Sequence, residues 1–347
     1  MDNSNLTETE ENPADLVELV ISNPPILFHK TQKLIDKIER EVGATFLTYW
    51  TSVNGSVSTD DATAVHEILQ SLGEQKHIVL FIKSDGGSGM EALRIVHVLR
   101  HYAPRITVLV PLDCASAATM IALGADEIQM GPLAYLTAVD TSLTHSLSPV
   151  DNYNSLVSVS QDELLRTVAL WRKEANANSD NPYKALFEHI HPLVIGAVDR
   201  SISLSIKICT EILSYHMDDQ KRAEEISLRL NNDYPAHEYP ITLREAKRIG
   251  LNVKQLPPQV NQLLLELNKT YSEMGQRART YLDKHHVRDN EITNVMEGRN
   301  LQVYYQNGID RHYRTEERRW VRTNDESYWR KIERVNGRMR KDIFHIR

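Results

Sequence analysis

Three short strand-like segments, the first two mainly apolar, set apart by stretches with helical spacing, constrain this chain more than any other feature in it. His77-Ile-Val-Leu-Phe-Ile82 and Ile106-Thr-Val-Leu-Val110 carry few polar side chains, and Glu127-Ile-Gln-Met130 follows as a shorter companion. A strand with water on one face alternates apolar and polar residues, whereas an unbroken apolar run suits a strand covered on both faces. Met90 to His101 reads as a helix between the first two runs, and Ser116-Ala-Ala-Thr-Met-Ile-Ala-Leu123 reads as a helix between the second and third. Strand, helix, strand, helix and strand at this spacing means βαβ units and a mainly parallel sheet. The predicted class is α/β.

The flanks extend this core. Phe28 to Val42 has a helical pattern around Leu34, Ile35 and Ile38, and Thr45-Phe-Leu-Thr-Tyr-Trp50 suits a strand. Asn54-Gly55 marks a turn, Ser58-Thr-Asp-Asp61 offers an N-cap, and Ala64, Val65, Ile68, Leu69 and Leu72 follow at helical spacing. Past Asp140, the polar stretch Thr141 to Gln161 reads as a surface excursion. Helices are predicted to resume from Glu163, with one over Tyr183 to His191, a long one over His191 to Tyr215, and Leu243 to Ile249 stopped by Gly250. Residues 259–285 look amphipathic and helical. Leu301 to Arg347 is locally basic, with twelve Lys and Arg against seven Asp and Glu. The predicted organisation is a disordered or extended segment over 1–27, a core domain over 28–257, and a helical, Arg- and aromatic-rich extension over 258–347.

Composition excludes several classes. The net charge of −7 argues against a chain built mainly to coat nucleic acid. Only the basic tail, where Tyr304, Tyr305, Tyr313, Trp320 and Trp329 are interleaved with Arg, offers such a surface. The blander reading of that tail is a set of helices packed on the core or on a neighbouring subunit. Cys114 and Cys209 are far apart and outside any CxxC, so neither a disulfide scaffold nor a zinc knuckle is predicted. The acidic Met1 to Glu18 is not a signal or transit peptide, and Leu16 to Leu27 is interrupted by Glu18, Asn23, Pro24 and Pro25, too short to span a bilayer. The chain reads as soluble and cytoplasmic. It has no HExxH, no P-loop and no dinucleotide fingerprint in Gly86-Gly-Ser-Gly89, so no metal or cofactor is predicted.

Two features carry candidate chemistry. Asp85-Gly86-Gly87 follows one buried strand, and Cys114-Ala115-Ser116-Ala117-Ala118 opens a helix after the next. Sites in parallel sheets gather at the carboxyl ends of strands. Adjacent glycines let backbone N–H groups approach a substrate carbonyl, so Gly86, Gly87 and Ala117 are the natural donors of an oxyanion hole beside Ser116. The competing reading is ordinary: Ser116 as an N-cap and Gly86-Gly87 as a turn.

The stretch from about Val42 to Asp140 resembles the serine dehydrogenase proteinase family of the ClpP/crotonase superfamily. Gly86-Gly87, the helix through Arg100, Val110-Pro111 and above all Ser116-Ala-Ala-Thr-Met-Ile-Ala-Leu-Gly-Ala-Asp-Glu-Ile-Gln-Met-Gly-Pro132 carry the likeness. A weaker match runs through Pro192 to Arg200 and His237 to Leu251, and the last 90 or so residues lie outside it. The resemblance implies a ClpP/crotonase-like β-β-α spiral core and a serine peptidase acting on peptide or protein substrates. It also implies a homo-oligomer, trimeric or hexameric, and a triad of Ser116, Asp140 and His237. His145, His189 and His191 compete for the base, as do Lys184 and Lys207, because related signal-peptide peptidases pair Ser with Lys. Cys114 reads as a small buried residue. Leu136-Thr-Ala-Val-Asp-Thr141 departs from the family's Gly- and Pro-containing stretch around Asp140. Two other classes stay open: an inactive oligomeric scaffold that recruits a partner through its extension, and acyl-CoA chemistry as in crotonases.

Overall fold

The structure, a computed structural model, describes residues 21–139, 142–143, 145–149, 156–157, 159–174, 184 and 186–346. The predicted α/β core forms as expected. Strands β1 (Thr45–Thr51), β2 (Ile78–Lys83) and β3 (Ile106–Val110) lie side by side in parallel. β5 (Glu127–Met130) and β9 (Val253–Gln255) extend the same parallel array. Two short strands, β4 (Asp113–Cys114) and β6 (Tyr135–Leu136), pair separately beyond the carboxyl end of β3. The excursion after Asp140 includes a small hairpin of β7 (Ser142–Leu143) and β8 (Val159–Ser160).

Alternate side chains of the central strands enter two different cores, which explains why the strands read as unbroken apolar runs. Phe46, Trp50, Val79, Phe81 and Leu109 face one layer, covered by α1 (Phe28–Val42) and α9 (Pro258–Met274). Leu47, Tyr49, Leu80, Ile82, Val108 and Val110 face the other. That second layer contains α2 (Asp61–Leu72), α3 (Gly89–Tyr102) and α4 (Ala117–Leu123). Behind them pack α6 (Pro192–Ser214) and α7 (Gln220–Asn232). Helix α5 (Gln161–Glu174) joins a small satellite cluster with α6, and α8 (Leu243–Arg248) leads into β9.

The predicted helical extension over 258–347 is corrected. Only α9 is helical; from residue 278 the chain is β. The strands are β10 (Ala278–Tyr281), β11 (His286–Gly298), β12 (Leu301–Arg314), β13 (Arg319–Asp325), β14 (Tyr328–Val335) and β15 (Arg338–Ile343). β11 pairs antiparallel with β1, so the extension prolongs the core sheet in the order β15-β14-β12-β11-β1-β2-β3-β5-β9. Its inner residues enter both layers: Met296, Val303 and Trp329 on one side, Ile292, Val295, Tyr304 and Ile332 on the other. One turn in this stretch carries a clear hairpin signature. Asn336 and Gly337, at φ 51° and 78°, form the two-residue link between the paired Val335 and Arg338, as a type I′ hairpin demands.

Much of the extension's charge is locally paired: Arg314 and Arg319 with Glu317, Arg322 with Asp325, Arg288 with Asp310, and Lys331 with Glu67. The predicted helix over 183–191 is corrected only at its end: Lys184 and Leu186 are helical, but Phe187 to His189 form a turn and His191 is extended at ψ 134°. Pro192 disfavours helical backbone at the residue before it. Residues 1–20 lie outside the described residues. Ser22 is tied to the extension through its N–H to Thr280 Oγ1 (2.8 Å) and its carbonyl to Asn290 Nδ2 (2.9 Å).

Candidate active site

Ser116 stands at the junction of β4 and α4 with φ 51° and ψ −117°. That combination lies outside the regions an L-residue ordinarily occupies, including the left-handed helical well. Unusual backbone of this kind clusters at functional sites. It is the geometry of a sharp strand-to-helix turn that lifts a serine hydroxyl out of the backbone trace. The helix behind it, Ala117 to Leu123, is buried at every position, so the turn has little room to relax.

Gly86 lies directly against this turn. A Cβ there would come within 2.6 Å of the Ala115 carbonyl, 2.7 Å of Ser116 Cβ and 3.0 Å of Ala117 N. Only glycine fits, and its φ of 99° demands glycine independently. Gly87, at φ 146°, is clamped on Val57: the Val57 N–H donates to Gly86 O and the Ser88 N–H to Val57 O, both at 2.8 Å. Ser84 sets the start of the loop. Its hydroxyl accepts from the Gly86 N–H (3.2 Å) and from Thr51 Oγ1 (3.0 Å), while its carbonyl accepts from the Ala115 N–H (2.9 Å). The Gly86 N–H is therefore engaged within the protein. Among the described residues, the N–H groups of Gly87 and Ala117 have no such acceptor.

Charge collects at the same end of the sheet. Lys83 Nζ pairs with Asp113 Oδ2 at 3.1 Å and lies 5.9 Å from the centre of the Trp50 ring. Desolvation raises the Asp85 pKa; Lys83 opposes the rise, while Asp113 adds to it by repulsion and a hydrogen bond. Desolvation and the negative charges of Asp113, Asp85 and Glu238 likewise push the Tyr135 phenol up. Glu238 belongs to the loop that carries His237. The loop is tied in at its end, where Ile241 and Leu136 exchange backbone hydrogen bonds of 2.8 and 3.0 Å.

The sequence profile of the ClpP-like SDH-type serine proteinases matches residues 26–291. The chain belongs to that family. Two Methanocaldococcus jannaschii proteins without an assigned function, MJ0137 and MJ1495, are 26% and 25% identical to this SDH-type chain, over 61% and 68% of its length. The match spans 66% of MJ0137 and 71% of MJ1495. Among solved structures, it is similar to a serine-to-alanine mutant of the 1510-N membrane-bound stomatin-specific protease (TM-score 0.37, 14% identity, 65% of this chain and 83% of that one). It is also similar to ClpP1 from Listeria monocytogenes (TM-score 0.35, 14% identity, 67% and 99%). Among its described residues, no helix is long and apolar enough to cross a membrane.

In this SDH-type fold the sequence-predicted residues separate into groups. Ser116, Gly86 and Ala117 are in contact, with Gly87 next in the same loop. His237 is exposed in the loop between α7 and Ile241. Asp140 lies outside the described residues. His145 is committed locally, its Nδ1 accepting from the Leu147 N–H at 3.1 Å. His191 caps α6 through Nδ1, accepting from Leu193 N–H at 3.2 Å. His189, Lys184 and Lys207 are exposed. Cys114 is wholly buried, and desolvation raises its thiol well above the ordinary range, which makes it a packing residue rather than a nucleophile. Sequence reasoning missed Ser84, Thr51 and Thr137, whose roles rest on hydrogen bonds between residues distant along the chain.

Proposed function

We propose that this protein hydrolyses peptide bonds through an acyl-enzyme on Ser116. The observation that carries the reading is the Ser116 backbone, bent to φ 51° and ψ −117° at the head of a buried helix with Gly86 packed on its Cβ. A serine serving only as an N-cap has ordinary extended backbone and bonds the helix's first amides. Ser116 does neither: its side chain makes no capping bond.

In this reading Ser116 Oγ attacks the scissile carbonyl as His237 removes its proton, and the carbonyl electrons move onto oxygen. The N–H groups of Gly87 and Ala117 hold that oxyanion, and Gly86 contributes by letting the backbone pass within contact of Ser116. The tetrahedral intermediate collapses, His237 delivers the proton to the departing amine, and water then releases the acyl group by the same route. Asp140 orients the imidazole. A homo-oligomer, trimeric or hexameric, acting on peptide or protein substrates in the cytoplasm completes the proposal.

The test is labelling of the purified protein with a fluorophosphonate probe. Wild type is expected to take the label and Ser116→Ala to lose it entirely, with His237→Ala and Asp140→Asn slowing it strongly. A wild type that stays unlabelled, or a Ser116→Ala variant that labels equally, overturns the reading in favour of a non-catalytic scaffold.

A further inference from the structure

The conformation of Ser116 is unfavourable for its residue type, so a contact outside the turn has to hold it. Thr137, next to β6, supplies one. Its hydroxyl accepts from the Ser116 N–H at 2.8 Å and donates to the Ala138 carbonyl at 2.9 Å. The second bond fixes the direction of the first: with its proton on Ala138 O, Thr137 Oγ1 turns lone pairs toward Ser116. The Thr137 N–H donates to Thr119 Oγ1 (3.2 Å), whose hydroxyl donates to the Cys114 carbonyl (2.8 Å). Both threonines are buried, so water does not compete for these bonds. The bonds close a ring around the turn, linking residues 114, 116 and 119 to residues 137 and 138.

We propose that Thr137 is the positioning residue of this site, holding the Ser116 backbone in its reactive conformation without touching substrate. The inference rests on the reading of Ser116 as nucleophile. It explains two features at once. The Ser116 N–H is occupied, which leaves Ala117, one residue on, as the helix-side donor to an oxyanion. The residue before Thr137 is Leu136, which is paired with Ile241 at the end of the His237 loop. One short segment therefore anchors both the proposed nucleophile and the end of the loop bearing its proposed base.

The test compares Thr137→Val, Thr137→Ala and Thr137→Ser in the full chain, by fluorophosphonate labelling rate and by amide hydrogen exchange at Ser116. Val matches the shape of Thr without the acceptor, and Ser keeps the acceptor; the Thr137 N–H bond to Thr119 survives in all three. Val and Ala are expected to label at least about tenfold more slowly and to exchange the Ser116 amide about tenfold faster, as befits a buried donor left unpaired. Ser is expected to stay within about threefold of wild type on both. Ser116→Ala is expected to lose the label but keep the slow amide. Wild-type behaviour of Val and Ala, or a Ser variant as impaired as they are, overturns the proposal. An unlabelled wild type whose Ser116 amide exchanges faster in Val sinks the nucleophile reading and leaves the backbone lock standing.

Discussion

Gly86→Ala tests the site geometry directly when it is measured beside Gly43→Ala. Both glycines have positive φ, 99° at Gly86 and 64° at Gly43. Placing Ala in left-handed backbone costs about 1–2 kcal/mol at either position. The surroundings differ. A Cβ at Gly43 meets nothing within 4 Å, whereas at Gly86 it meets the Ala115 carbonyl at 2.6 Å and Ser116 Cβ at 2.7 Å. Those atoms belong to backbone pinned by the Ala115 N–H bond to Ser84 and by the buried α4, so they cannot swing aside as a flexible side chain would. Overpacking of this kind adds about 1–3 kcal/mol. Urea unfolding should therefore put Gly86→Ala about 1–3 kcal/mol below Gly43→Ala. Labelling should separate the two further: Gly43→Ala keeps the wild-type rate, and Gly86→Ala loses at least about tenfold, because displacing the serine by a fraction of an ångström spoils its attack geometry. Equal destabilisation of the two variants, or a wild-type labelling rate in Gly86→Ala, would refute the packing of Gly86 on the Ser116 turn.

Three further outcomes follow from the same geometry. Glu297 is buried and accepts from Thr31 Oγ1 (2.6 Å), Gln32 Nε2 (2.7 Å), Tyr271 OH (2.8 Å) and Gln302 Nε2 (2.6 Å), yet burial pushes its pKa from 4.5 up to about 7. The folded protein thus keeps a proton that the unfolded chain has released, and stability falls as pH rises through the window from 4.5 to 7, by about 3 kcal/mol in all. Glu297→Gln should remove that component, and parallel wild-type and variant stability curves across the window would rule it out. Ser84→Ala strands the Gly86 N–H and the Thr51 hydroxyl and should cost about 1–3 kcal/mol, with part recovered in the Ser84→Ala/Thr51→Val double variant; no recovery in a double-mutant cycle would disprove the shared acceptor. Trp329→Ala should cost about 3–5 kcal/mol in a single unfolding transition, because Trp329 packs into the same core as the β1–β3 strands. A separate, weaker transition for the extension would contradict a continuous sheet.

The parts of this fold that were legible in the sequence are those where a single residue type answers a single demand. β3 and β5 match the predicted Ile106–Val110 and Glu127–Met130 segments, and α1 matches Phe28–Val42, because a strand covered on both faces (β3), an alternating strand (β5) and an amphipathic helix each write their burial into the residue pattern. The extension does not write its burial this way. β13 and β15 are largely exposed and Arg-rich, so their alternation carries little apolar signal, and Arg is itself a good helix former. Asn336-Gly337 was the readable sign of a hairpin there.

At the site the division is sharper. Gly86 could be read from sequence as a glycine that close approach and positive φ require, but not with the donor role predicted for it, since Ser84 Oγ takes its N–H. Ser116 could be nominated but not distinguished from a helix cap, since Ser suits both roles. What separates the two roles is backbone conformation, and that is set from 21 residues away, where Thr137 Oγ1 takes the Ser116 N–H. No local spacing pairs a threonine with that amide. The βαβ crossover that returns the chain past β5 to β6 does so, which makes the backbone geometry of Ser116 a property of the sheet's topology more than of the segment that carries it.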